Sequence, residues 1–162
     1  MSSANLALRT QPIELWKSAD WQRMWLSVWN QSWTSLAVVP AGPGGPPDFA
    51  LTIAVTLARV GISHLRVPIQ VADGTQVQLS HIVPFMDEVR SQQNKGELIL
   101  IALPPVQESP ASAPVAQAAD NALLAVLLGA MSARDGKETI AAVGKERFIG
   151  SIAFHEPPPA PR

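Results

Sequence analysis

Ser35-Leu36-Ala37-Val38-Val39-Pro40-Ala41-Gly42-Pro43-Gly44-Gly45-Pro46-Pro47-Asp48-Phe49 is the stretch whose reading decides the fold. Residues 35 to 39 are a short apolar run of the kind a buried strand shows, the Gly and Pro residues of 40 to 47 can only turn, and Asp48 stands where a helix N-cap belongs. A helix is predicted from Phe49 to about Val60. Gly61 is expected to close it, because glycine takes the left-handed conformation of a helix end most cheaply. Strand, glycine-rich turn and helix N-terminus in that order aim backbone N–H groups and the positive end of a helix dipole at an anion. The side chains that would complete such a site are missing.

A working phosphate loop reads G-x-x-x-x-G-K-[ST], with the Lys neutralising phosphate and the hydroxyl holding magnesium. Here no Lys or Arg occurs between Ser35 and Ala58. Pro43, Pro46 and Pro47 have no N–H to donate, and Asp48 would repel a phosphate. Gly42, Gly44, Gly45 and Asp48 therefore form a degenerate loop, and no cofactor, metal or catalytic residue is expected. A plain turn in a parallel α/β domain is the first reading; a nucleotide held by the backbone of Gly42 to Gly45 is the alternative.

Upstream, residues 1–12 read as a loosely held arm. A helix is predicted from Ile13 to Trp33, in which Trp21, Trp25, Trp29 and Trp33 recur at every fourth position and so spread over one broad face. Packing on the sheet is the first role of such a stripe, and anchoring a partner is the second. The ends of the arc, Trp21 and Trp33, are expected to face outward.

Downstream, His64 to Ala72 reads as a strand whose Pro68 marks an edge or a bulge. A hairpin of Val67–Val71 with Gln76–Leu79 around Asp73-Gly74 is the alternative. Ile82, Phe85, Met86 and Val89 have helical spacing. Glu97 to Leu103 reads as the third strand, and its residues Leu98 to Leu103 are a continuous apolar run, the mark of a parallel strand buried on both faces. After Pro104-Pro105 come a loop, a short helix from Val115 to about Ala119, a strand Ala122–Leu128, a helix Ala133–Val143 ended by Gly144, and a strand Arg147–Phe154. The alternation predicts one α/β domain over residues 13–154, with a mostly parallel sheet of about five strands flanked by helices, and a Pro-rich tail over 155–162.

Composition narrows the function classes. A net charge of −1 gives no basic stripe for nucleic acid, and the absence of Cys removes disulfides, thiolate nucleophiles and Cys-based metal sites. No stretch approaches about 20 continuous apolar residues, and the N-terminus lacks the pattern of a secretory signal, so a cytoplasmic place is expected, at most peripheral to a membrane. His64, His81 and His155 are too scattered for a metal motif. Asp87 and Glu88 diverge on a helix, and Ser109 has no base within sequence reach.

The second half resembles the P-loop ATPase group that contains the bacterial tyrosine kinases of capsule and exopolysaccharide export and the cell-division and chromosome-partitioning ATPases. The resembling residues are Gly96 to Val106, which looks like a strand ending in Asp-x-Pro-Pro, Ala118 to Val126, which looks like the step Ala-Asp-x-val-leu-leu-val, and Thr139 to Val143 followed by Phe148 to Ile152. The resemblance implies a P-loop-like fold with Val38–Gly61 at the phosphate-loop position. It also shows departures. Ala102 or Leu103 stands where the family's metal-holding Asp belongs, Asp73 alone matches a further family acid, and Tyr is absent, so the family's tyrosine-rich tail is absent as well. Glu14 and Arg23 do not keep the E-x-x-R-x-x-R spacing used in ring assembly. These departures imply an inactive relative that acts as a scaffold or regulatory partner of another protein or of its own copies; a divergent ATPase or kinase-like enzyme is the alternative.

Overall fold

The computed structural model describes residues 14–29 and 32–159, so the predicted arm and the end of the tail lie outside the described residues. The strands are β1 (Ser35–Pro40), β2 (Ile69–Asp73), β3 (Leu98–Ala102), β4 (Asn121–Leu127) and β5 (Phe148–Phe154). All pair in parallel, in the order β2-β3-β1-β4-β5. The helices are α1 (Ala19–Trp29), α2 (Phe49–Leu65), α3 (Ile82–Asn94), α4 (Ser112–Ala118) and α5 (Ala133–Val143).

The apolar run of β1 makes it the middle strand, and every one of its residues is buried. β3 beside it is buried throughout as well, which is why both read as unbroken apolar runs rather than alternations. Side chains leave a strand on alternate faces, and this divides the core in two. Leu36, Val38, Leu98 and Leu100 meet α1 and α2, while Ala37, Val39, Ile99 and Ile101 meet α3, α4 and Val143 of α5. β2, preceded by Pro68, is an edge strand, as the proline predicts. No hairpin forms after it: Leu79–His81 is a single 3-10 turn leading into α3.

Two predicted boundaries are corrected. Gly61 does not end α2, which continues to Leu65 and closes at Arg66, a non-glycine residue at φ 57°. Gly61 is needed for packing: a Cβ there would lie 2.6 Å from the Trp25 ring and 2.5 Å from Ile69 Cδ1. His64 belongs to the same helix rather than to a strand, and its Nδ1 accepts from Trp25 Nε1 at 3.1 Å, tying α1 to α2.

The tryptophans are also rearranged. The helix predicted from Ile13 to Trp33 is a 3-10 turn at Leu15–Lys17 followed by α1, and Trp33 lies outside it in the segment entering β1. Its indole N–H donates to the Val28 carbonyl at 3.1 Å, satisfying one of the acceptors that a helix end leaves open. Trp21, Trp25 and Trp33 are buried and Trp29 is half-buried. The outward member of the set is thus Trp29, not Trp21 or Trp33. Trp21 packs on Phe154 of β5 with ring centroids 5.6 Å apart, and Trp25, Trp29 and Trp33 form a mutual aromatic cluster.

The start of β1 is also pinned by Asp120, in the stretch that carries the family resemblance. Its carboxylate accepts from the Thr34 N–H at 2.8 Å, the Thr34 hydroxyl at 2.8 Å and the Ser35 N–H at 3.1 Å, while Ser35 Oγ accepts from the Asp120 N–H. Burial alone would push this carboxyl up, but the Thr34 and Ser35 donors and the nearby Arg147 outweigh it and hold the group below its ordinary value. A depressed folded pKa contributes stability that is complete above the unfolded value of about 3.9 and is lost as pH falls through the folded value. Asp120→Ala is expected to cost about 1–2 kcal/mol at neutral pH, the group being partly exposed. Thermal melts from pH 7 down to about 2 check it, since the variant should lose less stability below about pH 4 than the parent.

Candidate functional site

The carboxyl ends of the strands carry the connections where an open α/β sheet places its site, and the turn after β1 lies next to the point where strand order reverses. Residues 41–48 run from the end of β1 to α2, whose N-terminus is held by the Pro46 carbonyl accepting from Phe49 N–H at 3.1 Å. Asp48 occupies the predicted N-cap position, but its side chain makes no capping hydrogen bond.

The glycines of the turn are used for close packing against the connection between β4 and α5 and against the first turn of α5 itself. A Cβ on Gly42 would lie 2.7 Å from Asp135 Cβ, and one on Gly44 would lie 2.5 Å from the Ala130 carbonyl oxygen. Gly44 also has φ 112°, a conformation other residues rarely take. The Ala41 peptide is engaged on both sides: its N–H donates to Ala125 O at 2.8 Å, and its carbonyl accepts from the buried Thr139 hydroxyl at 2.9 Å. Gln107 Nε2 reaches Thr139 Oγ1 and the Asp135 carbonyl, both at 3.3 Å. Thr139, Gln107 and Asp135 thus brace the turn from elements distant in sequence. Thr139 lies in a stretch that resembles the family, but no local pattern assigns it this bracing role.

Beside the turn lies a cleft of about 170 Å³. Pro46, Phe49, Leu103, Pro104 and Met131 give it apolar walls, and Thr75, Gln76 and Glu108 supply polar groups. None of its lining residues is basic. At the position expected for a metal-holding acid, Ala102 and Leu103 are buried, and the Ala102 carbonyl is taken by Gly74 N–H at 2.8 Å. Asp73 reaches the same end of the sheet, opposite Ala102 in the β2–β3 register, and its carboxylate accepts from Thr75 N–H and the Thr75 hydroxyl. Gly42, Gly45 and Phe49 line the cleft and Asp48 adjoins it, whereas Trp21, Trp25, Trp29 and Trp33 lie elsewhere, around α1. No group of His, Cys, Asp or Glu suited to a metal ion occurs among the described residues, and no described helix is long and apolar enough to cross a membrane.

The arrangement of strands and helices is similar to that of solved structures. The crystal structure of the chimerical protein CapA2B2 aligns over 98% of this chain and 92% of its own, with a TM-score of 0.64 and 13% identity. The tyrosine kinase domain of BceF aligns over 80% of this chain and 72% of its own, with a TM-score of 0.55 and 12% identity. No family model and no curated protein matches the chain. At such identities the likeness is one of fold: a minimal α/β domain of P-loop-like topology.

Proposed function

We propose that this chain is a non-catalytic relative of the P-loop ATPases, acting as a scaffold or regulatory partner in an envelope-associated or polar bacterial assembly such as polysaccharide export. The observation that carries this reading is the cleft beside the turn after β1, which offers an incoming phosphate no cation and places Glu108 on its wall and Asp48 at its edge. Catalysis of phosphoryl transfer is almost entirely positioning and charge stabilisation, so a site without Lys or a metal acid has lost its main means. The fold outlives that loss because sheet and helices still present docking surfaces. The likeness in fold to CapA2B2 and the BceF kinase domain supports the choice of assembly.

One observation favours the alternative, a nucleotide held by loop backbone. The N–H groups of Gly42, Gly44 and Gly45 donate to no protein acceptor among the described residues. Calorimetry separates the two readings. With Mg·ATP the expected result is no binding tighter than about 1 mM. Micromolar binding that weakens in Gly45→Val would establish the nucleotide site and end the scaffold reading.

A further inference from the structure

We infer that the cleft beside the turn after β1 receives an arginine side chain from a protein partner. The inference rests on the preceding reading, in which this cleft does not take nucleotide. Its volume, about 170 Å³, is below the range of roughly 300–1,000 Å³ usual for small-molecule pockets and suits one long side chain. Apolar walls and a single acid fit the two parts of such a residue: the methylene stem lies along Phe49, Pro104 and Met131, and the cationic head meets Glu108.

Charge complementarity fixes the sign of the occupant. The carboxyl side of the sheet carries Asp48, Asp73, Glu108, Asp135 and Glu156 against Arg134 and Lys137, both among the first five residues of α5, and the cleft wall itself holds Glu108 and no basic residue. That field repels phosphates and attracts cations. Arginine is favoured over lysine because its planar, weakly hydrated head stacks on rings and pairs two-pronged with a carboxylate. Continuity with exposed apolar surface points to a protein rather than free arginine. Leu79, 59% exposed, lies three residues after Gln76 and lines a neighbouring hollow with Ser109 and Pro110, which directly follow Glu108 of the cleft wall.

The test uses the whole chain, labelled with nitrogen-15, titrated at low salt with the peptide acetyl-Pro-Leu-Arg-Pro-Leu-amide and with its counterpart carrying Glu for Arg. Expected are amide shifts centred on Gly45, Thr75, Gln76 and Glu108 with the first peptide only. Glu108→Gln should weaken binding about fivefold or more, and Glu88→Gln on α3 should leave it unchanged. Shifts spread evenly over the acidic surface, or affinity unaltered in Glu108→Gln, would overturn the inference. So would binding seen only after deletion of residues 157–162, which would give the cleft to the chain's own tail. A parallel Mg·ATP titration separates the two readings: no binding of either ligand ends this inference and leaves the scaffold reading standing, whereas nucleotide binding at these same amides ends both.

Discussion

An Ile101→Asp chain is expected to yield no cooperatively folded protein. Ile101 lies in β3 between Ala37 of β1 and Ala72 of β2, fully buried, in the half of the core that includes Val39, Met86 and Val115. The residues packed together in that half of the core are apolar, so the new carboxyl would be buried either charged and unpaired or neutral and short of hydrogen-bond partners. The penalty, several kcal/mol, is comparable to the whole stability of about 5–15 kcal/mol of such a domain. Near-UV circular dichroism and thermal melting check the outcome. Ile101→Val is the control, expected to melt cooperatively after losing about 0.5–1.5 kcal/mol. Ile99→Asp, one residue pair away on the same face, should behave like Ile101→Asp; soluble, cooperatively melting Asp variants at both positions would remove β3 from the sheet interior.

The two central strands, β1 and β3, were legible because burial on both faces writes itself into composition. Residues 98–102 and 36–39 are unbroken apolar runs, and both strands are buried from end to end. Local chemistry gave α5 as well: the Ser132 hydroxyl accepts from the Asp135 N–H at its start, and Gly144 takes φ 110° after its end. Elsewhere a local rule competed with a distant contact. A glycine after an apolar helical stretch reads as a terminus, yet Gly61 lies within α2 because Trp25, 36 positions earlier, needs the space. The four-residue tryptophan period continues past the end of α1 to Trp33 because the same core receives all four rings from two kinds of backbone. At the site, the lack of a cation was readable from the residues between 40 and 48. The bracing of Ala41 by Thr139 was not, since it joins residues 98 positions apart and follows from strand order. The pairing of Asp120 with Thr34 and Ser35 was hidden for the same reason.

The tryptophan series should separate packing from binding. Trp21→Ala, Trp25→Ala and Trp33→Ala each remove a buried ring and are expected to cost about 3–5 kcal/mol. Trp25→Ala should lie at the upper end, because it also opens the space over Gly61 and leaves His64 Nδ1 without its donor. Trp29 stands apart. It stacks on Trp25 at 5.7 Å and meets Trp33 edge-on at 5.5 Å, but part of its surface is open to solvent. Its removal forfeits two ring contacts and partial burial rather than a full core position, so Trp29→Ala is expected to cost about 1–2 kcal/mol. If the open part of Trp29 anchors a partner or a second copy, the same change should weaken that association by about 2 kcal/mol or more, a loss the three buried rings would cause only through unfolding. Melting temperatures and sedimentation velocity of the four single variants decide it. Equal destabilisation by all four with an unchanged association state would assign every ring to the core, and the docking role of the protein would then have to lie at the carboxyl ends of the strands.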